Sequence, residues 1–505
     1  MDRKALKGSI TVFLSLACIL FLSLICAVTE SARIQGAKAQ SANITGMGTF
    51  SLLSEFETKL LEKYEIFSLD GASEGSFQIQ EINSRFEKYI NLNANPKTGI
   101  LKTLAFDPWR LELEKGEITG YALLTDNRGE PFYQQVVSYM KANIGVIALE
   151  EILKLAGSTD EIEKKQEAYE KSQSSSDGQL SDLEDEKQEK LEILESESQG
   201  SGTDAETATG TEGNPLTEIA KLRKKSTLEI VTWDKTVSEK SVSLSSQPSK
   251  SRLRTGNLDI ETEHSGLVSD VLFREYLIRY FSSYADGKSE ASFDYQVEYI
   301  LGGKATDKKN LKYVVNRLLL IREGMNYAYS LSNTTMNSQA GSLAVTLTGF
   351  LGIPALTAAT KHALLLAWAY GESLVDVRIL LDGGKVPLAK DGDSWSLTLT
   401  NLGRVSEVLQ NGAKGKEDGL SYQDYLRILL NMGTLANQKM RALDLIQASM
   451  QAEDGMSGFQ VQNCIVAVAA SASYQCGQVF WGLPAVAMGL SGTDTAFVQT
   501  ASMAY

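Results

Sequence analysis

The sequence predicts an α+β protein hung from a single N-terminal membrane helix that continues into a stalk. Three observations carry this reading: an uncharged apolar run near the start, helical apolar spacing over most of the remainder, and a few alternating segments that read as strands. The run from Ile10 to Val28 is 19 residues long. As a helix it measures about 28 Å, enough to cross the hydrocarbon core of a bilayer. Arg3, Lys4 and Lys7 precede it with only Asp2 against them, so the positive-inside rule keeps residues 1–8 in the cytoplasm and exports the rest. The run is longer than a secretory h-region, and Thr29-Glu30-Ser31-Ala32-Arg33 reads as continuing helix. Residues 9–28 therefore read as a retained single-pass anchor, with the lipid bilayer as partner through Ile10–Val28. The best rival span, Leu343–Ala359, is interrupted by Gly349, Gly352 and Pro354 and reads as a buried helical hairpin.

Residues 29–70 follow as a stalk helix: Leu52, Leu53, Phe56, Leu60, Tyr64 and Phe67 recur at helical spacing, and Asp70-Gly71 ends the run. Residues 71–157 read as an α+β segment. It has a helix around Arg85–Ile90 and a hairpin of Trp109–Leu113 with Ile118–Leu123 around Lys115-Gly116. A further helix is opened by Pro131 and continues to Leu155. Residues 158–213 differ in kind, with 17 Asp and Glu against 5 Lys and a single aromatic, Tyr169. Leu180, Leu183, Leu191 and Leu194 support at most a lone helix there, while Ser172–Gly178 and Ser196–Gly213 read as disordered. So little apolar surface does not offset the entropy of ordering, and the stretch reads as an acidic low-complexity linker or insertion. Residues 214–505 read as a helix-rich α+β region packing with 71–157. Helices are expected at Val268–Tyr284, Leu311–Tyr329, Ala340–Leu351, Ala363–Leu381 and Tyr422–Met450. Strands are expected at Leu228–Val231, Val242–Leu244, Trp395–Thr400 and Phe459–Tyr474, with Gln478–Leu483 returning beside the last.

Composition narrows the function. The net charge of −14 is concentrated in residues 158–213, which carry −12 and leave about −2 elsewhere. No basic patch with interleaved aromatics is present, so nucleic acid is excluded as a partner. Cys18 and Cys26 lie in the anchor, about 12 Å apart on one helix and too far to bridge. Cys464 and Cys476 lie in the exported part, where a hairpin centred on Ala470 would make a disulfide possible. The chain has only His264 and His362, and no zinc-ligand spacing, so no metal or cofactor is expected. Gly302-Gly303-Lys304 and Gly383-Gly384-Lys385 lack the remaining residues of a phosphate loop and read as turns. Ser138-Tyr139-Met140-Lys141 matches S-x-x-K and Lys97-Thr98-Gly99 matches K-T-G, in the reverse of the order that penicillin-binding enzymes use. Glu298, Glu323, Glu372 and Asp376 stand in apolar helices. Pairing with Arg317, Arg322 or Arg378 explains them better than acid–base catalysis. No catalytic constellation results, no small-molecule ligand is identified, and the chain reads as a non-enzyme. The aromatic set Tyr276, Tyr280, Phe281, Tyr284, Tyr295 and Tyr299 has helical spacing that suits a core, with a ligand-binding surface as the alternative.

Lys7-Gly8-Ser9-Ile10-Thr11-Val12-Phe13-Leu14-Ser15-Leu16, followed by Glu30-Ser31-Ala32-Arg33, resembles an uncharacterised family of single-anchor cell-envelope proteins found mainly in clostridia-like Gram-positive bacteria. Further matching stretches are Tyr133–Lys141, Pro248–Arg252, Glu298–Lys304, Arg317–Asn326, Ala367–Ala369 and Gly419–Arg427. The resemblance implies a TadE/TadG-like, pseudopilin-type N-terminus. It also implies a role as an accessory or structural component of a Tad/Flp pilus or type II secretion-like apparatus, whose other proteins would be partners. An envelope sensory or ligand-binding module is the alternative. Prepilin peptidases generally cut after Gly with Glu five residues on. Gly8 and Ser9 are the candidate processing site, but Phe13 stands where that Glu belongs.

Overall fold

The computed structural model describes residues 4–73, 76–94, 109–198, 214–288, 292–411, 415–480 and 495–505. The chain divides into two compact units: residues 1–136, 252–263 and 453–505 form the first, and residues 137–251 and 264–452 the second.

The first unit is built on α1 (Lys4–Leu53), a helix of 50 residues. Its apolar side chains from Ile10 to Val28 are bare, with Phe13 73% and Phe21 67% exposed. From Glu30 onward one stripe goes under at three- and four-residue steps: Glu30, Arg33, Ala37, Ser41, Ile44, Gly48 and Leu52. The small residues on this stripe set the approach distance. A Cβ on Gly36 would lie 2.3 Å from the Trp109 ring, and one on Gly48 would lie 3.0 Å from Ile90. After the short α2 (Thr58–Tyr64), the stripe packs on α3 (Ile79–Ala94) and on an antiparallel sheet. Strand β5 (Cys464–Cys476) is the centre of the sheet. It pairs with β4 (Leu111–Leu123) along one edge, and with β6 (Thr495–Ala504) and the two-residue β1 (Leu69–Asp70) along the other. A small ladder joins β2 (Ala72–Ser73) to β3 (Ser76–Phe77). Ile44, Leu52, Ile82, Phe86, Ile90, Val468 and Tyr474 form the core between helices and sheet.

Two expectations fail here. The hairpin around Lys115-Gly116 is one strand, β4, carried through by bulges at Leu113/Lys115 and Ile118/Gly120. Gly116 serves packing instead of turning: its N–H donates to Glu87 at 3.0 Å, and a Cβ there would press on Glu87 and Phe86. Likewise Ala470 sits in mid-strand, paired with Ile118 on one side and Ala501 on the other, and makes no hairpin. The strand that returns beside β5 is β6. The expected return at Gln478–Leu483 shows no strand as far as Phe480, and 481–494 lie outside the described residues. The chain leaves the sheet into α4 (Asp126–Asn143), where Asn127, Arg128 and Gly129 are left-handed and Pro131 then sets the first regular turn.

The second unit is helical. Its elements begin with α5 (Val146–Gly157), α6 (Thr159–Asp182), α7 (Glu184–Ser198), α8 (Pro215–Arg223) and α9 (Thr227–Val231). They continue with α10 (Leu267–Tyr280), α11 (Gln296–Gly302), α12 (Asp307–Ser332), α13 (Thr334–Thr348) and α14 (Pro354–Leu381). Last come α15 (Val405–Asn411), α16 (Tyr422–Met432) and α17 (Leu435–Gln451). Helix α14 is buried all round from Leu364 to Leu381 and forms the axis, with α12, α13 and α6 against it. Helices α13 and α14 make the expected hairpin, but its tip keeps Val345 and Phe350 outward.

Segments that read as strands are not strands in this unit. Leu228–Val231 is within α9, and the neighbourhood of Val242–Leu244 contributes only a bridge from Ser241 to Thr306. In Trp395–Thr400 the N–H groups of Ser396 and Leu397 donate to the Glu372 carboxylate instead of to another strand. The helix expected over Tyr422–Met450 breaks at Gly433-Thr434. The larger correction concerns the acidic stretch. Residues 159–198 are helix, including the Ser172–Gly178 segment expected to be disordered, while 199–213 lie outside the described residues. Thr159, Ile162, Gln166, Tyr169, Gln173, Ser176 and Leu180 of α6, with its C-cap Leu183, alternate three- and four-residue steps and are covered. That is a heptad stripe written largely in polar and small residues. It works because α12 offers a groove at Gly324, where a Cβ would lie 2.9 Å from the Gln166 backbone. Gly324→Val is expected to lift α6 off this groove and cost about 1–3 kcal/mol. A lowered urea midpoint, with faster amide exchange confined to α6 and α7, is the measurement that checks it.

Candidate functional site

The feature of the first unit that is not explained by packing is the seat of α1. Glu30 and Arg33 are the first charged pair after the apolar run, and both side chains are only 6% exposed. Arg33 donates to Glu30 Oε1 at 2.7 Å and to the Trp109 carbonyl at 2.8 Å, just ahead of β4, and also to the Gly477 carbonyl just beyond β5. Glu30 accepts from the Phe480 N–H at 2.9 Å. A guanidinium thus ties two strand ends together through their carbonyls, and the carboxylate neutralises it. Further along, Thr45 Oγ1 meets the Tyr474 hydroxyl at 2.8 Å, Gln499 reaches the Lys38 carbonyl at 3.2 Å, and the Tyr505 hydroxyl caps the Leu53 carbonyl. The outer half of α1 is therefore fixed to its sheet by polar contacts at both ends. Gly8 and Ser9 fall inside the first turns of α1.

The acidic residues singled out from sequence separate into two groups. Glu372 and Asp376 form a buried quartet with Arg322 and Lys390. Arg322 Nε lies 3.0 Å from Asp376 Oδ2, Lys390 Nζ lies 2.6 Å from Asp376 Oδ1, and Lys390 also bonds Glu372. Burial alone would push Asp376 up, but Lys390 and Arg322 outweigh it and hold the carboxyl below its ordinary range. Burial keeps Glu372 above its ordinary value against the pull of Lys390. Lys390, the shared cation, was not expected; only its burial and the carboxylates across the fold mark it out. Arg378 pairs with Asp234 and Asp382 instead, and Arg317 joins no carboxylate of the set.

Glu298 and Glu323 have no cation in ion-pair range among the described residues. Glu298 accepts from the Tyr284 N–H at 2.9 Å and the Tyr422 hydroxyl at 2.7 Å, and its other oxygen is buried without a hydrogen bond. Glu323 accepts from the Tyr169 hydroxyl at 3.0 Å. Burial pushes each up to about 7. The folded chain then holds these protons more tightly than the unfolded chain, whose carboxyls release them near 4.5. The contribution of these two groups to stability is greatest below that value, falls as pH rises to about 7, and is level above. Each group contributes up to about 3 kcal/mol to the fall at about 1.4 kcal/mol per pKa unit. Glu298→Gln is expected to flatten the decline in urea midpoint between pH 5 and pH 8, and an unchanged slope would contradict this account.

Ser138 and His264 do meet, with Ser138 Oγ 2.8 Å from His264 Nε2 and Lys141 Nζ 3.0 Å from His264 Nδ1. The polarity is wrong for a general base. Lysine donates to Nδ1, which leaves the proton on Nε2 facing the serine, so the ring cannot accept the serine proton. Lys97-Thr98-Gly99 lies outside the described residues. Neither Cys464 nor Cys476 is in a disulfide, and both are buried at opposite ends of β5. Twelve strand steps put them about 40 Å apart, beyond any disulfide. The aromatic set is core or half-buried: Tyr276 stacks on Tyr280 at 4.4 Å, Phe281 meets Tyr276 edge-on, and Tyr295 and Tyr299 are buried. It offers no aromatic surface. Among the described residues no group of His, Cys, Asp and Glu is placed to hold a metal ion.

Against known proteins, no curated sequence and no solved structure matches the chain. One family model matches residues 205–476, which run from just before α8 through the helical unit to the end of β5 and cover more than half of the chain. The chain belongs to the family described as a family of unknown function, DUF5702.

Proposed function

We propose that this is a non-enzymatic, single-pass membrane protein of the bacterial cell envelope, built like a TadE/TadG-type pseudopilin. It would serve as a structural or accessory component of a Tad/Flp-type pilus or type II secretion-like apparatus in a clostridia-like Gram-positive cell. The observation that carries the reading is α1: one continuous helix, apolar and bare to Val28, then seated on an antiparallel sheet from Glu30. A subunit of that form can be stored in a bilayer by the bare half and positioned by the seated half, and it needs no reactive centre. Arg3, Lys4 and Lys7 support a cytoplasmic N-terminus, and on this reading the two folded units are exported. The second reading, an envelope sensory or ligand-binding module, loses the aromatic surface first considered for it.

The test is a deletion strain. Loss of surface filaments or of secreted cargo supports the proposal, whereas normal filaments and normal secretion overturn it. N-terminal sequencing of the mature protein then separates the two forms of the role: a start at Ser9 marks a processed subunit, and a start at Met1 a permanently anchored accessory protein.

A further inference from the structure

We propose that a cleft in the helical unit binds a phosphoryl group, either as the free ion or carried on a small organic body. The cleft encloses about 220 Å³ between the end of α11, the face of α12 and the start of α17. A water molecule has a share of roughly 30 Å³ in the liquid, so the space admits an oxyanion together with part of whatever bears it.

Its lining contains two arginines, Arg317 and Arg441, and neither an Asp nor a Glu. Arg317 is half-buried and forms no hydrogen bond or ion pair with any described residue. Arg441 donates through Nη1 to the Ile300 and Leu301 carbonyls, each at 2.7 Å, leaving Nε and Nη2 without a protein acceptor among the described residues. The nearest acid on the same helix, Asp444, is already taken by the Tyr299 hydroxyl at 2.7 Å and the Ser249 N–H at 2.8 Å. Elsewhere in this unit Arg322, Arg378 and Arg427 each meet a carboxylate. Two half-buried guanidinium groups lining one cleft, with Asp444 the one carboxylate acting on Arg441 and no carboxylate bonded to either, leave donors that an anion would complete.

The remaining donors decide which anion. Tyr313 stands one turn before Arg317 on α12, and Asn437 one turn before Arg441 on α17, so each helix presents a matched pair to the cleft. Thr434, the N-cap of the 17-residue α17, also lines the cleft, and its hydroxyl does not cap the helix. Thr434 therefore offers its hydroxyl there, beside the positive end of the α17 dipole. Donors arriving from two helices and a helix terminus suit an acceptor with oxygens in several directions, which a tetrahedral phosphate has and a planar carboxylate lacks. This inference is independent of the role proposed for α1.

The experiment uses the full chain in a maltoside detergent, titrated calorimetrically at constant ionic strength with sodium phosphate, glycerol phosphate and sodium acetate in separate runs. Saturable binding of phosphate or glycerol phosphate is expected, with acetate giving none. Tighter binding of glycerol phosphate identifies a phosphate carried on an organic body, and equal binding the free ion. Arg317→Gln, chosen because Arg317 holds nothing else in place, should weaken binding about ten- to a hundredfold, the effect of losing a charge-assisted hydrogen bond. Its circular dichroism and melting curve should match the wild type. No binding by the wild type, equal binding by the folded variant, or acetate binding as well as phosphate would each overturn the proposal.

Discussion

Arg322→Met is expected to unfold the helical unit under conditions where the wild type stays folded. Arg322 is fully buried and spends its donors on Asp376, Asn326, the Tyr425 hydroxyl, and the Pro387 and Leu388 carbonyls. Methionine fills most of the volume and makes none of these bonds. The quartet would then hold Glu372 and Asp376 against Lys390 alone, an excess negative charge with no route to water. Breaking one partner out of a buried ion set costs about 3–5 kcal/mol, and two orphaned carbonyls add to it. Domains are stable by only about 5–15 kcal/mol, so little is left. Urea unfolding followed by circular dichroism checks the prediction, and a midpoint within experimental error of the wild type would refute the quartet's role. The same loss should be partly recovered by removing charge on the other side: Arg322→Met with Asp376→Asn restores neutrality, and should be more stable than Arg322→Met alone.

The second large effect concerns the bare half of α1. Leu16→Lys with Leu20→Lys puts two ammonium groups on adjacent turns, each costing about 2.5–3.5 kcal/mol at the middle of a spanning helix. Together they should shift the protein from the alkaline-carbonate-resistant membrane fraction to the extractable fraction. The fold of the sheet unit should survive, because its contacts with α1 begin at Glu30. A protein that stays resistant to extraction would mean that the apolar run is not what holds it.

How much of this was legible beforehand follows the nature of each signal. The apolar run, the α12 and α14 periodicity and the part of α3 around Arg85–Ile90 were legible because burial of one helix face leaves a pattern in neighbouring residues. Strands at Leu228 and Trp395 were misread because a short alternating run is a strand only if another strand lies beside it, and that is not a local property. The helix α6 was missed for the opposite reason. Its composition resembles a disordered segment, yet Ile162 and Tyr169 are 1% exposed, and their value depends on the notch that Gly324 leaves in a helix about 150 positions later. A heptad count across Thr159–Leu183 would have found it.

For the sites, the carboxylates could be flagged by type alone, but not their partners. Lys390 carries no mark in sequence, and Arg317, expected to neutralise an acid, meets none. The S-x-x-K match at Ser138 did gain a histidine, and only the lysine at its second nitrogen shows that the arrangement runs the wrong way for catalysis.

By itself, the order of residues determined that this chain carries one helix greasy enough for a bilayer and that the rest is mixed helix and sheet. These are sums and periods over adjacent residues, so they survive without coordinates. Only the tertiary structure decided that β5 is one strand with its cysteines far apart, that the acidic segment is partly a packed helix, and which charges share the interior. Each of those is a pairing between positions tens to hundreds of residues apart, fixed by what lies across the core and not by what comes next in the chain.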